Sequence, residues 1–336
     1  MAGKSFKTIS LFLIIAALLS GCNQNTQLNT EATNTEKGSL ITTAALTEDG
    51  KSDPQEKEIT ISCGKNTASG NGVVELKLDK STFKKGAKIE IQLPEGEHYL
   101  AVNISKDIME EAIVYLPESK FSYIIPNFSY SYPAKMKSAY SHTITARIPD
   151  NSELSQSHVL SLNPFDLIDD STKITGYKYK SYWSGSVYPH ASTSSVCRVS
   201  DSEESKYQFE ARNAIDGYTK NKGHGNYPYQ SWGPDSDFSE TKGYLLIDFG
   251  HDVTVDMLNL YIRADFPHDT YFNSMTVEFS DKSTLTFEIS NDANAQTFNL
   301  GGKTTSYVKI KKLEKVDHAG WAAITEVEVV GSEIVS

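Results

Sequence analysis

Cysteine is scarce in this chain of 336 residues, which contains only Cys22, Cys63 and Cys197. No Cys/His spacing indicates a structural zinc site. Two interpretations of Cys63 and Cys197 stay open: they form a single disulfide, or they are two buried or free thiols.

Catalytic signatures are missing as well. The chain has no Gly-x-Ser-x-Gly elbow, no His-Glu-x-x-His helix and no phosphate-binding loop. Asp265 and Asp269 could form a glycosidase-like carboxylate pair, and a weak hydrolase is therefore an alternative. The neighbouring Arg263 argues against it, because it would keep both acids ionised whereas a general acid must retain its proton. We expect no catalytic residue.

Positive charge is in deficit, with 32 lysines and arginines against 43 acidic residues and a net charge of -11. Phosphate binding requires clustered Lys and Arg. The composition therefore predicts that nucleic acid is not a partner.

A long apolar run occurs at the N-terminus. Lys4 and Lys7 precede the run from Ile9 to Leu19, which is too short to cross a bilayer as a stable helix and is followed by small residues. This pattern is typical of a cleaved signal peptide, with a retained membrane anchor as the alternative. The sequence Leu-Ser-Gly-Cys that ends at Cys22 resembles the bacterial lipobox. The resemblance implies a signal peptide over 1–22, lipidation of Cys22 and a place in the bacterial cell envelope, outside the cytoplasm, with membrane contact through the lipid anchor only.

Residues 23–58 contain no aromatic side chain and carry seven acids against three lysines. Such a segment cannot bury enough apolar surface to offset its ordering entropy. We predict a disordered tether.

Apolar residues alternate with polar ones almost everywhere after the tether. The stretches "VVELKLDK", "KIEIQL" and "HTITARI" in the first half, and "GYLLIDFG", "MLNLYIRAD" and "TLTFEIS" in the second, each place apolar residues on one face. Short strands separated by regular turn signals indicate antiparallel β-sandwiches. We predict an all-β protein with an N-terminal sandwich at 59–172, a linker at 173–187 and a second sandwich at 188–332.

The second half has a recognisable order of motifs. "ARNAIDGYTKN" is followed by "SW", "GYLLIDFG", "LNLYIRAD", "MTVEFSDKST" and "GWAAITEVEVVG". Residues 188–331 thereby resemble the discoidin, or coagulation-factor type C, domains of the galactose-binding-like superfamily, and within it the family 32 carbohydrate-binding modules. The resemblance implies a jelly roll whose ligand loops lie at one end.

The same resemblance implies a structural calcium ion. The acids that match the family's metal ligands are Asp216 and Glu326. Further oxygen donors at matching positions are Asn213, Thr219 and Thr325. Calcium prefers six to eight oxygen ligands, many of them neutral. The inserted stretch "YTKNKGHGNYPYQ" puts Thr219 in doubt, and the alternative is that Asp216 only caps its own turn, with Gly217 at positive φ.

A sugar site requires convergent polar side chains and an aromatic platform. The family's sugar-binding positions correspond to Arg263 at the end of a strand, to His268 or Asp269 in the loop after it, and to Trp321. The full set of predicted ligand-binding residues is Arg263, Asp265, His268, Asp269, His224, Tyr227 and Trp321. Alternatives stay open, because Arg263 could brace its loop through an ion pair and Trp321 could lie flat against the end of the sandwich. Trp232 is expected in the core.

These observations predict a lipid-anchored, non-catalytic surface protein that binds a glycan or polysaccharide. The alternative is an adhesin or assembly subunit with a protein partner, because a fold does not determine its ligand.

Overall fold

The computed structural model describes residues 58–105, 110–125, 141–166, 187–197, 209–220, 231–235, 238–264, 270–317 and 320–335. The predicted signal peptide with Cys22, and the predicted tether up to residue 57, lie outside these ranges. In the described part of the chain, no helix is long and apolar enough to cross a membrane.

In the first half, the described residues form eight strands in two antiparallel sheets. The strands are β1 (Glu58–Cys63), β2 (Asn66–Asn71), β3 (Val74–Asp79), β4 (Lys88–Gln92), β5 (Tyr99–Asn103), β6 (Ala112–Tyr115), β7 (Lys120–Ile124) and β8 (Ser141–Arg147). One sheet has the order β2-β1-β4-β7 and the other the order β3-β8-β5-β6. Buried and exposed residues alternate strictly along β3. This alternation shows why these strands form sheets, because each strand has one apolar face that must pack against the core. Their buried side chains, among them Ile61, Leu100 and Phe121, make one continuous core.

The second half forms a larger antiparallel sheet system. Its strands are β9 (His158–Val159), β10 (His190–Thr193), β11 (Tyr244–Ile262), β12 (Phe272–Phe279), β13 (Thr284–Glu288), β14 (Gln296–Lys315) and β15 (Ile324–Glu333). The order is β13-β12-β14-β11-β15-β9, with β10 paired to β11. Among the described residues there is one short α-helix, α1 (Asn151–Leu154), which is capped by Asp150, whose carboxylate accepts the backbone N–H of Glu153. The predicted all-β class is confirmed.

Strand β11 differs from the prediction of two separate strands. "GYLLIDFG" and "MLNLYIRAD" belong to one strand of 19 residues, which is interrupted by irregular pairing between Asp248 and Val253. Gly250 lies inside that irregularity with φ of +76°, a conformation that other residues adopt at a cost. Gly250 therefore lies within one continuous strand, at its irregularity, and not in a turn between two strands.

Residues 158–166, which we call the connector, contact both sandwiches, because Leu160 packs into the second core and Phe165 into the first. His158 and Val159 pair with β15. The buried hydroxyl of Ser161 donates to the carbonyl of Val327 at 2.7 Å and accepts the N–H of Val329 at 2.8 Å. The boundaries 59–172, 173–187 and 188–332 stay predictions, and residues 167–186 lie outside the described ranges.

The two sandwiches also contact each other directly. Tyr115 and Tyr188 exchange two backbone hydrogen bonds of 3.0 and 2.9 Å. The hydroxyl of Tyr99 lies 3.1 Å from Nε2 of His251 and 3.3 Å from the carboxylate of Glu333. These contacts join the first sandwich to the second independently of the connector.

Both described cysteines are free, which decides between the two interpretations. Cys63 is buried in the first core and Cys197 is partly exposed beside the second. Burial raises the pKa of both thiols, so neither is poised to react as a thiolate.

Candidate functional site

Two predicted metal ligands converge on one turn of the second sandwich. Asp216 follows a short 3₁₀ turn at Ala211–Ala214, and its Oδ1 accepts the N–H of Tyr218 at 3.0 Å. Gly217 has φ of +84°, so the predicted self-capped turn is present. Glu326, on β15, accepts the N–H of Gly217 at 3.1 Å through Oε1. Turn capping and the pairing of two acids thus occur together.

The electrostatics of this acid pair are unfavourable without a counter-charge. The side chain of Glu326 is fully buried, and its Oε2 has no hydrogen-bond partner among the described residues. Burial raises the pKa of Asp216, which a backbone hydrogen bond and the charge of Arg212 only partly offset. Burial, and then the charge of Asp216, raise the pKa of Glu326. The fully buried carboxylate of Glu326, beside the half-buried carboxylate of Asp216, requires a proton or a cation.

The donor set fits a hard cation such as calcium. It consists of carboxylate oxygens and, close in sequence, the hydroxyl of the buried Thr325 and that of the half-exposed Thr219. Asn213 is buried, and its amide nitrogen donates to the carbonyl of Ser231 at 3.2 Å. Within the described ranges, no group of three or more His, Cys, Asp or Glu could hold a metal ion, so a cation here would need neutral oxygens as well.

Arg263 and Trp321, two of the predicted ligand-binding residues, lie in contact. Arg263 follows the last residue of β11, and its backbone N–H donates to the carbonyl of Ala323 at 3.0 Å. Its guanidinium carbon lies 5.0 Å from the centroid of the Trp321 ring, within the range of a cation–π contact. Arg263 is only 6% exposed, so its charge is held against the ring rather than extended into water.

Trp321 is fixed in position by its other neighbours. Its indole N–H donates to the carbonyl of Pro234 at 3.1 Å, and its ring meets that of Phe209 edge-on at 4.6 Å. A methyl group at Gly233 would come within 2.1 Å of the indole, so only glycine allows this close approach. Trp321 therefore packs against the end of the sandwich while remaining partly exposed. Trp232, by contrast, is fully buried, as expected.

The loop between Arg263 and Thr270 begins and ends beside Trp321. The backbone of Arg263 bonds to Ala323, and the N–H of Thr270 donates to the carbonyl of Trp321 at 3.2 Å. The predicted ligand-binding residues inside this loop and in the inserted stretch lie outside the described residues; they are Asp265, His268, Asp269, His224 and Tyr227. Arg263 and Thr270, which flank the loop, are described, and the roles of the five residues stay predictions.

A buried acid–histidine pair was missed by the sequence analysis. Nδ1 of His190 lies 2.7 Å from Asp166, whose second oxygen accepts the N–H of Ala191 at 2.7 Å. The pair joins the connector to β10 and is 24 residues apart in sequence, so no local pattern signals it. Because Asp166 is bonded both to the imidazole of His190 and to the backbone N–H of Ala191, the pair indicates a structural role.

Comparison with known proteins gives a family match for the second half of the chain. No curated protein sequence matches the chain. Residues 190–327 match the family model described as the F5/8 type C domain.

Similar solved structures include the lectin domain of lectinolysin complexed with Lewis B antigen, at 21% identity and a TM-score of 0.33, covering 43% of this chain and 93% of that one. The family 32 carbohydrate-binding module of C. perfringens NanJ in complex with galactose has 16% identity and a TM-score of 0.31, with 42% and 91% covered. A Streptococcus pneumoniae fucose-binding module has 15% identity and a TM-score of 0.31, with 43% and 92% covered. Residues 190–327 of this chain form an F5/8 type C, or discoidin, domain.

Proposed function

We propose that this chain is a non-catalytic glycan-binding protein whose binding site is built around Arg263 and Trp321. The carbohydrate-binding-module-like fold of residues 190–327 supports glycan binding. The observation that carries the proposal is the Arg263–Trp321 contact at the base of a loop whose two ends are held by backbone hydrogen bonds to Ala323 and Trp321.

The chemistry of this pair suits a sugar. A pyranose ring offers an apolar face that packs on an aromatic ring, and hydroxyl groups that accept hydrogen bonds from a guanidinium fork. Because Arg263 is held against Trp321 before any ligand arrives, little side-chain entropy would be lost on binding. In the proposal, Asp265, His268 and Asp269 complete the site from the loop, and His224 and Tyr227 contribute from the inserted stretch.

Calcium at Asp216 and Glu326 is part of the same proposal, as a brace rather than a reactant. The partnerless Oε2 of the buried Glu326 supports it, since a cation would supply the counter-charge that this oxygen lacks among the described residues. Asn213, Thr219 and Thr325 would add neutral oxygens. Bound calcium would tie the turn at Gly217 to β15.

In the proposal, lipid attachment at Cys22 holds this binding activity in the bacterial cell envelope, outside the cytoplasm. The Leu-Ser-Gly-Cys stretch supports it. A surface-anchored binding module keeps captured polysaccharide at the cell.

The test is a glycan-array screen of the full chain in calcium and again in chelator, followed by affinity measurements on variants. Arg263→Ala should weaken binding to the selected glycan at least about tenfold, the loss expected for a charged hydrogen-bond donor. Arg263→Lys should lose most of that affinity too, because an ammonium cannot replace a planar fork. Arg147→Ala is the matched control, since Arg147 is a part-buried arginine that pairs with Glu111 and Glu153 in the first sandwich.

Unchanged affinity in Arg263→Ala, with the fold verified by circular dichroism, would remove the proposed site. A blank array with a folded sample would contradict glycan binding. Saturable capture of a protein that free sugars do not displace would then favour the adhesin alternative.

A further inference from the structure

The first sandwich has a hollow at one end that the proposed glycan site does not use. It has a volume of about 610 Å³ and lies between the β1–β2 turn and the loop from β3 to β4. This volume falls within the roughly 300–1,000 Å³ typical of small-ligand pockets. Three lysines line it, Lys65, Lys84 and Lys88, together with a single acid, Glu90.

The charge of the hollow is positive although the chain as a whole is acidic. Glu90 lies 2.8 Å from the amine of Lys88 and 3.4 Å from that of Lys120, so the one acid is already neutralised. Lys65 and Lys84 form no ion pair among the described residues, and both are exposed. In a protein with a net charge of -11, two such lysines at one concave place leave a local site that attracts anions.

The walls of the hollow are built from anchored backbone. In the β3–β4 loop, the buried Phe83 stacks on His142 with a centroid distance of 4.0 Å. The N–H of Thr82 bonds to Asp79, and the N–H of Gly86 donates to the carbonyl of Ile125 at 2.8 Å. These contacts fix the loop that presents Lys84, so the concavity exists before a ligand binds.

Neutral polar groups share the lining with the lysines. They include the Ser62 and Thr82 hydroxyls and the Asn66 amide, all of which can bond to hydroxyl groups. Described aromatic rings do not line it, so stacking on a sugar face is not available here. The combination selects for an anionic group accompanied by hydroxyls.

We propose that this hollow is a second, separate binding site, which takes an acidic sugar unit carrying a carboxylate or sulfate group. Lys65 and Lys84 bind the anionic group through charge-assisted hydrogen bonds, and the polar lining binds the hydroxyls of the ring. Because the lysines are exposed, the interaction is screened by salt.

The experiment measures binding of the full chain to oligogalacturonate, to a sulfated heparin-derived oligosaccharide and to a neutral oligogalactose by calorimetry. We expect saturable binding of at least one acidic probe that weakens as salt is added. The double variant Lys65→Gln/Lys84→Gln should weaken it about tenfold or more. The control Lys77→Gln/Lys242→Gln removes the same charge from exposed lysines elsewhere and should retain the affinity.

Absence of binding to both acidic probes would overturn the inference, as would an equal loss in the control variant. The outcome is separable from the proposed function. Arg263→Ala should leave acidic-probe binding intact, while the double lysine variant should leave binding of the array-selected glycan intact. If Arg263→Ala abolishes acidic-probe binding and the lysine variant retains it, the ligand belongs to the second sandwich and the hollow binds nothing.

Discussion

Replacing Glu326 by Gln should stabilise the protein in chelator and remove its response to calcium. In the wild-type protein the backbone nitrogen of Gly217 lies 3.1 Å from Oε1 of Glu326. The glutamine amide keeps an oxygen that can accept this N–H. Its NH₂ group takes the place of the buried Oε2 that has no partner among the described residues. The NH₂ can then donate to Asp216, so a repulsive acid pair becomes a hydrogen-bonded acid–amide pair.

The magnitude follows from burial and mass action. A buried polar atom without a partner costs about 1–3 kcal/mol, so the metal-free variant should gain roughly that free energy of unfolding. For a domain of 150–250 residues this corresponds to a Tm increase of roughly 2–12 °C. Calcium at about one hundred times its Kd should stabilise the wild-type protein by about 2.7 kcal/mol, and the variant by far less because a charged ligand is lost.

Differential scanning calorimetry of both proteins, with calcium and with chelator, measures all four values. Glu288→Gln is the control, because Glu288 is an exposed acid on β13 and its change should leave both the Tm and the calcium response unchanged. A lower Tm of Glu326→Gln in chelator would refute the reasoning about an uncompensated carboxylate. An undiminished calcium response in the variant would refute the placement of the ion at Glu326.

Three further predictions concern packing and titration. Ser161→Ala should lower the free energy of unfolding by about 1–3 kcal/mol, because two buried backbone groups of β15 lose their hydrogen-bond partner. Urea denaturation measures this change. An unchanged urea midpoint would show that water replaces the hydroxyl. Gly233→Ala should weaken glycan binding and lower the Tm, since the methyl would displace Trp321, and a variant with wild-type affinity would separate the indole from the ligand. The thiols of Cys63 and Cys197 should react with an alkylating reagent more slowly than free cysteine near pH 8, because a raised pKa lowers the thiolate fraction at that pH. The labelling rate of both thiols should increase in denaturant. Fast labelling of the native protein would contradict their burial.

Local sequence pattern predicted most of the strands, because a strand with one buried face must alternate. The stretch "VELKLD" alternates strictly and forms β3 with the same residues buried. The alternation could not show that the two runs join into β11, because a glycine between two runs is compatible both with a turn and with an irregular position inside one strand. The difference is decided by pairing with β14 and β15, which is a long-range property.

The candidate site was only partly accessible from sequence. Asp216 and Glu326 were found through resemblance to a family, as their separation of 110 positions carries no local signal. The partnership of Asp166 with His190, and the gathering of Lys65 with Lys84, depend on loops from different strands. Such contacts arise from topology, which composition and periodicity do not encode.

The attachment of the connector to β15 has a mechanical consequence. A pull on a ligand held by the second sandwich reaches the first sandwich through β15 and the bonds at Ser161, as well as through the Tyr115–Tyr188 bridge. β9 pairs with β15 over two residue pairs, so the load is shared among several hydrogen bonds. In the proposed function, shear acting on a bound glycan would therefore be transmitted from the second sandwich to the first through these paired backbone contacts.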